Sequence, residues 1–251
     1  GFWSYRRVVG QRNYKSKVNE VSLVNWPQND YADGGVYGGS DDLYHAYMAA
    51  RQSMCLAYYL QNDADDGKGG KGYPVALCGK SVGTKDGLAK AVYIRESRRI
   101  VGRATVREQD VSVEFNDKIK RYDHSVGVGH YAIDVHKTVV THTSFYSPTY
   151  PFEIPMGALI PVRMKNLIPA CKNISCTHLT NGCYRLHPVE WNVGEVAGLL
   201  SAFCIDKNCS PAEAEDEHYE EFEKLLVKKG VQLHWSEETM DLDKYISGVK
   251  G

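Results

Sequence analysis

A chain of 251 residues that is 43% hydrophobic can bury a sizeable core, as one large domain or as two smaller ones. Its formal net charge of −1 gives no electrostatic reason to expect nucleic acid or an anionic membrane as partner, and no apolar run approaches a membrane span. Seven cysteines leave at least one unpaired, which excludes a complete disulfide framework and favours a reducing compartment such as the cytoplasm.

Strands are expected first, over residues 3–9 and 20–25, from their β-branched and aromatic content. A long helix follows with Ser40 as N-cap, Asp41 and Asp42 in its first turn, and Leu43, Ala46, Tyr47, Ala50, Met54, Leu56 and Tyr58 carrying it to Gln61. Residues 63–72, DADDGKGGKG, read as a charged, mobile surface connection. Gly79-Lys80-Ser81 ends like a phosphate-cradling loop, but Pro74 stands where that loop needs its first glycine, so no nucleoside triphosphate site follows. Further strands are expected over residues 93–107, 127–135 and 139–143. In the first, alternation puts Arg95, Ser97 and Arg99 on one face and Glu96 and Arg98 on the other. That face either offers guanidinium groups to an anionic substrate or is an edge laced with ion pairs. Gly127-Val128-Gly129-His130-Tyr131-Ala132 satisfies the looser dinucleotide fingerprint, yet the alternation after it reads as strand where the fingerprint needs a helix. Glycines that turn the chain into a strand are the simpler reading.

Residues 166–203 form the most informative segment: a short apolar strand over 166–170, a polar loop, then a helix. Pro188 suits the first helical turn and Glu190 the positive end of the helix dipole. Val189, Val193, Val196, Ala197, Leu199, Leu200 and Phe203 make a broad apolar face, with Gly194, Gly198 and Ala202 small enough for close approach. The helix start is either an anion or cofactor site or follows a loop that is merely solvated. Cys171, Cys176 and Cys183 match neither a redox C-x-x-C pair nor a zinc knuckle, so no metal centre is expected, and they read as small buried residues. Cys55 and Cys204 read as helix packing. A last amphipathic helix runs from Pro211, capped by Ser210, to Lys229, ended by Gly230.

The pattern Thr177-His178, Gly182, Arg185, Pro188, Gly194, Ala197-Gly198 resembles the C-terminal flavin-binding segment of a bacterial family of FAD-dependent oxidoreductases. FWSYRR, SLVNWPQNDY, GLAKAVYIRESRRI, SVGVGHYAIDVH and FEIPMGALIPV resemble that family in the same order, and together they span most of the chain. The family is similar to glutathione-reductase-type flavoproteins. The resemblance therefore implies an N-terminal Rossmann-like domain with a Gly-rich strand-turn-helix, a largely antiparallel second domain, and a return of the chain that completes the FAD domain.

On this basis the fold is expected to be α+β. Residues 1–160 would form the substrate or cap portion and residues 161–251 the C-terminal FAD-domain segment with two helices. Gly1-Phe2-Trp3 reads as a join to the interior of a longer protein, so FAD is expected as the cofactor of the intact protein. This chain alone should be inactive and retain little of it.

The resemblance places Ala170, Lys172 and Asn173 near the ribityl or pyrophosphate region, and the backbone of Pro188, Val189, Glu190 and Asn192 at the pyrimidine side of the ring. Cys171 stands where related flavoproteins often show glycine, and Lys172 where they often show an acidic or basic residue. His178, Arg185 and His187 are the catalytic candidates, because hydride transfer to flavin needs a proton acceptor at the substrate and a cation for a carboxylate or for reduced flavin. Each could equally be structural, and one of the loop cysteines could react with flavin or substrate. Arg95 and Arg99 are candidates for binding a small organic substrate. Two other classes stay open: a polysaccharide lyase, a xanthan-lyase-like label that family members sometimes carry, and a non-catalytic binding module. The 17 tyrosines and nine histidines could furnish a Tyr/His pair for β-elimination, but no spacing assembles one. Oligomeric state is left open.

Overall fold

Residues 2–236 are described by a computed structural model, and they divide into two units: the chain up to Tyr93 with His136–Thr143, and Ile94–Val135 with Ser144 onward. The first unit holds α1 (Phe2–Tyr5), β1 (Arg7–Val9), β2 (Val21–Ser22), α2 (Asp42–Asn62) and α3 (Gly79–Val82). Its interior is aromatic. Trp26 is buried, and Trp3 meets Trp26 and Tyr73 edge-on at 5.6 and 5.3 Å between ring centroids. His136, also buried, hydrogen-bonds through Nδ1 to Asp30, whose carbonyl accepts from Gln52 Nε2 at 2.9 Å.

The strand expected over residues 3–9 opens instead as the single turn α1. The Trp3 carbonyl accepts from Ser22 Oγ at 2.8 Å and Arg7 Nε at 3.3 Å, which holds that turn closed. β1 and β2 pair antiparallel with an irregular register, and the ladder stops early because Glu20 turns its carboxylate to Gln11 N and Arg7 at 3.0 and 3.1 Å. α2 matches its expected span with Asp41, not Ser40, at the N-cap; Asp42 accepts from the amides of Gly38 and Gly39 at 2.6 and 2.9 Å. No residue of α2 is buried, and Cys55 is exposed, contrary to its expected packing role. The glycine-rich connection is a tied hairpin: Asp66 Oδ1 accepts from the amides of Lys68 and Gly70 at 2.7 and 2.9 Å, and Tyr73 donates to the Asp65 carbonyl at 2.7 Å. Residues 139–143 are a turn rather than a strand, because Thr138 Oγ1 captures the amides of Val140 and Thr141 at 3.2 and 2.9 Å.

The second unit carries α4 (Glu108–Val111), β3 (Ser125–Gly129), β4 (Ile133–Val135), β5 (Phe145–Ser147), β6 (Phe152–Pro155), α5 (His178–Tyr184), α6 (His187–Lys207), α7 (Pro211–Glu217) and α8 (Tyr219–Lys228). β3 pairs antiparallel with β6, and β4 with β5. Their inward faces pack with α5, α6 and α8 around Ile154, Leu159, Ile174, Tyr184, Val196, Leu200, Phe222 and Leu226. The fold is α+β, with small antiparallel sheets and longer helices. Among the described residues no helix is long and apolar enough to cross a membrane.

Four expectations change here. Residues 93–107 are not a strand. The segment changes neighbours along its length, bonding from Ile100 N to Asn173 O, from Arg103 N to Ile160 O and from Val106 N to Ser175 O at 2.9–3.1 Å. It crosses at Gly102, where a Cβ would lie 2.7 Å from Ser175 Cβ and 2.8 Å from the Gly157 carbonyl. Residues 166–170 form no ladder, and Pro169, without an N–H, cannot donate to one. The polar loop contains a helix, α5, whose N-cap Thr177 accepts from Thr180 N at 3.1 Å while Thr180 Oγ1 accepts from Thr177 N at 3.0 Å. The expected final helix breaks at His218 into α7 and α8. The break turns Tyr219 inward, where its hydroxyl donates to the Ser125 carbonyl at 2.7 Å and its ring stacks on His124 at 4.1 Å.

Glycines 127 and 129 lie inside β3 rather than in a turn before it. A Cβ on Gly127 would sit 2.1 Å from Asn192 Oδ1, so a helix side chain occupies the space that the missing side chain leaves.

Candidate functional site

α6 begins without a side-chain cap: Leu186 holds the N-cap position, Pro188 lies in the first turn, and Glu190 is its first-turn acid. Lys172 closes the loop onto this turn. Its amide donates to Glu190 Oε1 at 3.2 Å, its Nζ stands 3.6 Å from the same oxygen, and that Nζ also donates to the Ile94 carbonyl at 2.9 Å. Gly194 lets the loop lie against the helix, since a Cβ there would approach the Ala170 carbonyl to 3.1 Å. One turn on, a Cβ on Gly198 would meet nothing within 4 Å. Glu190, Trp191, Gly194 and Glu195 line an open depression of about 440 Å³, with Trp191 exposed on its rim. Asn192, on the inner side, is spent on β3: its Oδ1 accepts from Val128 N and its Nδ2 donates to Val126 O, each at 3.2 Å.

A second grouping gathers around α5. His178 Nδ1 and Glu96 Oε2 are 2.9 Å apart, and Arg99 reaches the same carboxylate at 4.0 Å. Glu96 and Arg99 therefore share a side, contrary to the alternation expected of a strand. Arg95 is half-buried, Asn173 gives its carbonyl to Ile100 N, and His187 is exposed as the first residue of α6. Cys176 and Cys183 are buried as expected, whereas Cys171 is exposed. Burial pushes the Cys176 thiol up to about 11, opposed by a hydrogen bond from Asn181, and pushes Cys183 higher still. Both are held as thiols at neutral pH, which makes them poor nucleophiles for the covalent chemistry considered for this loop.

Arg185 is buried at the end of α5. It donates from Nη2 to the Asp134 carbonyl at 2.8 Å and to Asp134 Oδ2 at 3.3 Å, while its Nε has no hydrogen-bond partner. Asn181, fully buried one turn earlier, donates to the Lys172 carbonyl at 2.9 Å and leaves its Oδ1 without a partner. α5 reaches β4 through Gly182, where a Cβ would sit 2.8 Å from Asp134 N. A buried donor and a buried acceptor thus stand unsatisfied on the segment that leads into α6, which is uncommon unless a ligand or water completes them. Sequence reasoning missed Glu96 as a histidine partner, the Ile94 carbonyl, Asp134 and Asn181; the signal that Ile94, Glu96 and Asp134 carried was their place in the quoted segments GLAKAVYIRESRRI and SVGVGHYAIDVH. Among the described residues, no group of three or more His, Cys, Asp or Glu side chains is placed to hold a metal ion.

A long helix whose N-cap offers no side chain leaves first-turn amides that suit an anionic group. The particular family is shown by comparison: the chain belongs to the FAD-dependent oxidoreductases, whose family pattern matches residues 2–226. No curated protein and no solved structure matches it. The protein is thus a flavoprotein oxidoreductase, and FAD is the cofactor of its intact form.

Proposed function

We propose that FAD lies along the N-terminal end of α6. Ala170, Lys172 and Asn173 would stand toward its ribityl or pyrophosphate region, and the backbone of Pro188, Val189, Glu190 and Asn192 toward the pyrimidine side of the ring. The observation that carries this reading is the pair of unsatisfied buried groups, Arg185 Nε and Asn181 Oδ1, beside a long helix whose N-cap offers no side chain. Lys172 offsets Glu190, so the carboxylate does not repel a phosphate. FAD supplies the hydride acceptor. His178, with Nδ1 on Glu96, keeps Nε2 for the proton of a substrate hydroxyl or amine. Arg99 and Arg95 hold the acidic group of a small organic substrate, while Arg185 and His187 supply donors on the cofactor side.

In this reading residues 161–251 act as the FAD-domain segment of a glutathione-reductase-type enzyme of bacterial kind, and residues 1–160 as the substrate or cap portion. The exact G-x-G-x-x-G of the 251 residues, Gly67-Lys68-Gly69-Gly70-Lys71-Gly72, lies in the tied hairpin after α2 and not between a strand and a helix, so it is no dinucleotide fingerprint. In this reading a Gly-rich strand-turn-helix supplies the opposite wall of the site, and a chain without one is inactive and retains little FAD. The test is spectroscopic. The intact protein should show a flavin spectrum that a substrate bleaches without oxygen, and Lys172→Ala should weaken flavin retention. An intact protein that turns over its substrate without flavin sinks the proposal; stoichiometric FAD on the 251-residue chain sinks the need for a second wall.

A further inference from the structure

α6 ends in a turn that brings two cysteines together. Asn208, at φ 53, adopts the left-handed conformation, Cys209 N donates to the Cys204 carbonyl at 3.0 Å, and Asn208 N donates to the Ile205 carbonyl at 3.2 Å. These are the outer and inner bonds of a Schellman cap, in which the residue after the left-handed position folds back over the last helical turn and touches the side chain one turn in. In most proteins that contact is between apolar groups. Here it is between Cys204, buried in the core, and Cys209, half-buried against it. Cys209 is the neighbouring group that acts on the Cys204 thiol, and neither cysteine is paired in a disulfide. A disulfide needs Cα atoms about 4.4–6.8 Å apart, and a bond from the amide of one cysteine to the carbonyl of the other brings them into that range.

We propose that Cys204 and Cys209 form a reversible dithiol–disulfide couple built into the C-cap of α6, with a small disulfide such as glutathione disulfide as exchange partner. Cys209, the more accessible thiol, enters first. Its thiolate attacks one sulfur of the small disulfide, forms a mixed disulfide and expels one thiolate. Cys204 then loses its proton and attacks the Cys209 sulfur, closing the internal bond and expelling the second thiolate. The two cysteines are oxidised by two electrons, the small disulfide is reduced by two, and the cysteine protons end on the two released thiols. Burial, and next the neighbouring Cys209, push the Cys204 thiol up to about 12, so closure is the slow step and accelerates with rising pH. Ser210, the N-cap of α7, follows Cys209 directly, so the oxidised bond fastens the α6–α7 junction. The couple is independent of the flavin reading.

The folded 251-residue chain, with exposed Cys55, Cys78 and Cys171 changed to serine, is equilibrated with glutathione disulfide. It is then acid-quenched, alkylated and mapped by mass spectrometry, with circular dichroism to confirm the fold. The expected product is one internal link, Cys204 to Cys209, with the loss of two hydrogen masses, reversed by reduced glutathione. Cys204→Ser should instead accumulate glutathione on Cys209, and Cys209→Ser should leave Cys204 unmodified until urea is added. Should either variant fail to fold, the unsubstituted pair decides alone. A folded chain that stops at the mixed disulfide on Cys209, or that leaves Cys209 untouched, overturns the proposal.

Discussion

Asn192→Ala separates a structural role for this side chain from a direct cofactor contact. The amide spans two backbone groups of β3, accepting from Val128 N and donating to Val126 O. Each bond contributes about 1 kcal/mol net, and the buried Val126 carbonyl, left without its donor, adds a desolvation cost of the same order, so the loss should be about 2–3 kcal/mol. For a chain of this size that is a fall of roughly 5–10 °C in Tm. The assay is thermal and urea unfolding, with hydrogen exchange at the Val128 amide as the local readout. Gly127 supplies an internal check, because a Cβ there would stand 2.1–2.6 Å from the Asn192 amide atoms. Gly127→Ala should damage the wild-type protein but cost far less in the Asn192→Ala background, a coupling that a double-mutant cycle measures. Unchanged unfolding and an equally protected Val128 amide in Asn192→Ala would refute the reasoning, as would strictly additive effects of the two substitutions.

Gly182→Ala should destabilise by about 1–3 kcal/mol, since its Cβ would press on the Asp134 backbone, which cannot turn aside; a midpoint within error of wild type would count against the close α5–β4 approach. Glu215 has its carboxyl raised from its ordinary 4.5, by burial first, with Arg103 opposing. The native state therefore holds that proton more tightly than the unfolded chain, and its contribution is greatest below pH 4.5 and is lost as pH rises through the raised value. Glu215→Gln should gain stability relative to wild type as pH rises from acid to neutrality, and a relative loss on urea unfolding would reverse the sign argued here. Thiol reagents at neutral pH should label exposed Cys171 well before Cys176 or Cys183, which react only on unfolding. Rapid labelling of Cys176 in the folded chain would reopen its role as a nucleophile.

The long helices were readable because their signals are local. Pro188 and Glu190 mark the start of α6, and Asp41 and Asp42 the start of α2, within one turn of the residues they act on. Where the deciding partner is distant, the residues mislead. His218 sits in a run with unbroken helical character, and the break there follows from Tyr219 reaching Ser125, 94 residues away. Residues 93–107 look like a strand from composition, but their amides divide between two neighbours that only the folded chain brings near. α5 escaped notice because Thr180 takes the place that a capping box usually gives to Glu or Gln.

The same distinction divides the candidate site. Ala170, Lys172, Glu190 and Gly194 fall within 25 residues of one another, and the loop-to-helix pattern was enough to suggest that they share a wall. His178 and Glu96 are 82 positions apart, so nothing local could choose between a base that a carboxylate orients and an isolated loop histidine. Arg185 shows the limit from the other side. The sequence offered it as a cation for a substrate carboxylate or for reduced flavin, yet its Nη2 is committed to Asp134 and its buried Nε stands unsatisfied. A buried arginine that already has a carboxylate partner acts first through the geometry it imposes on α5 and β4. The buried, unsatisfied Nε is a directed donor, which suits orienting a bound group better than capturing an anion from solution.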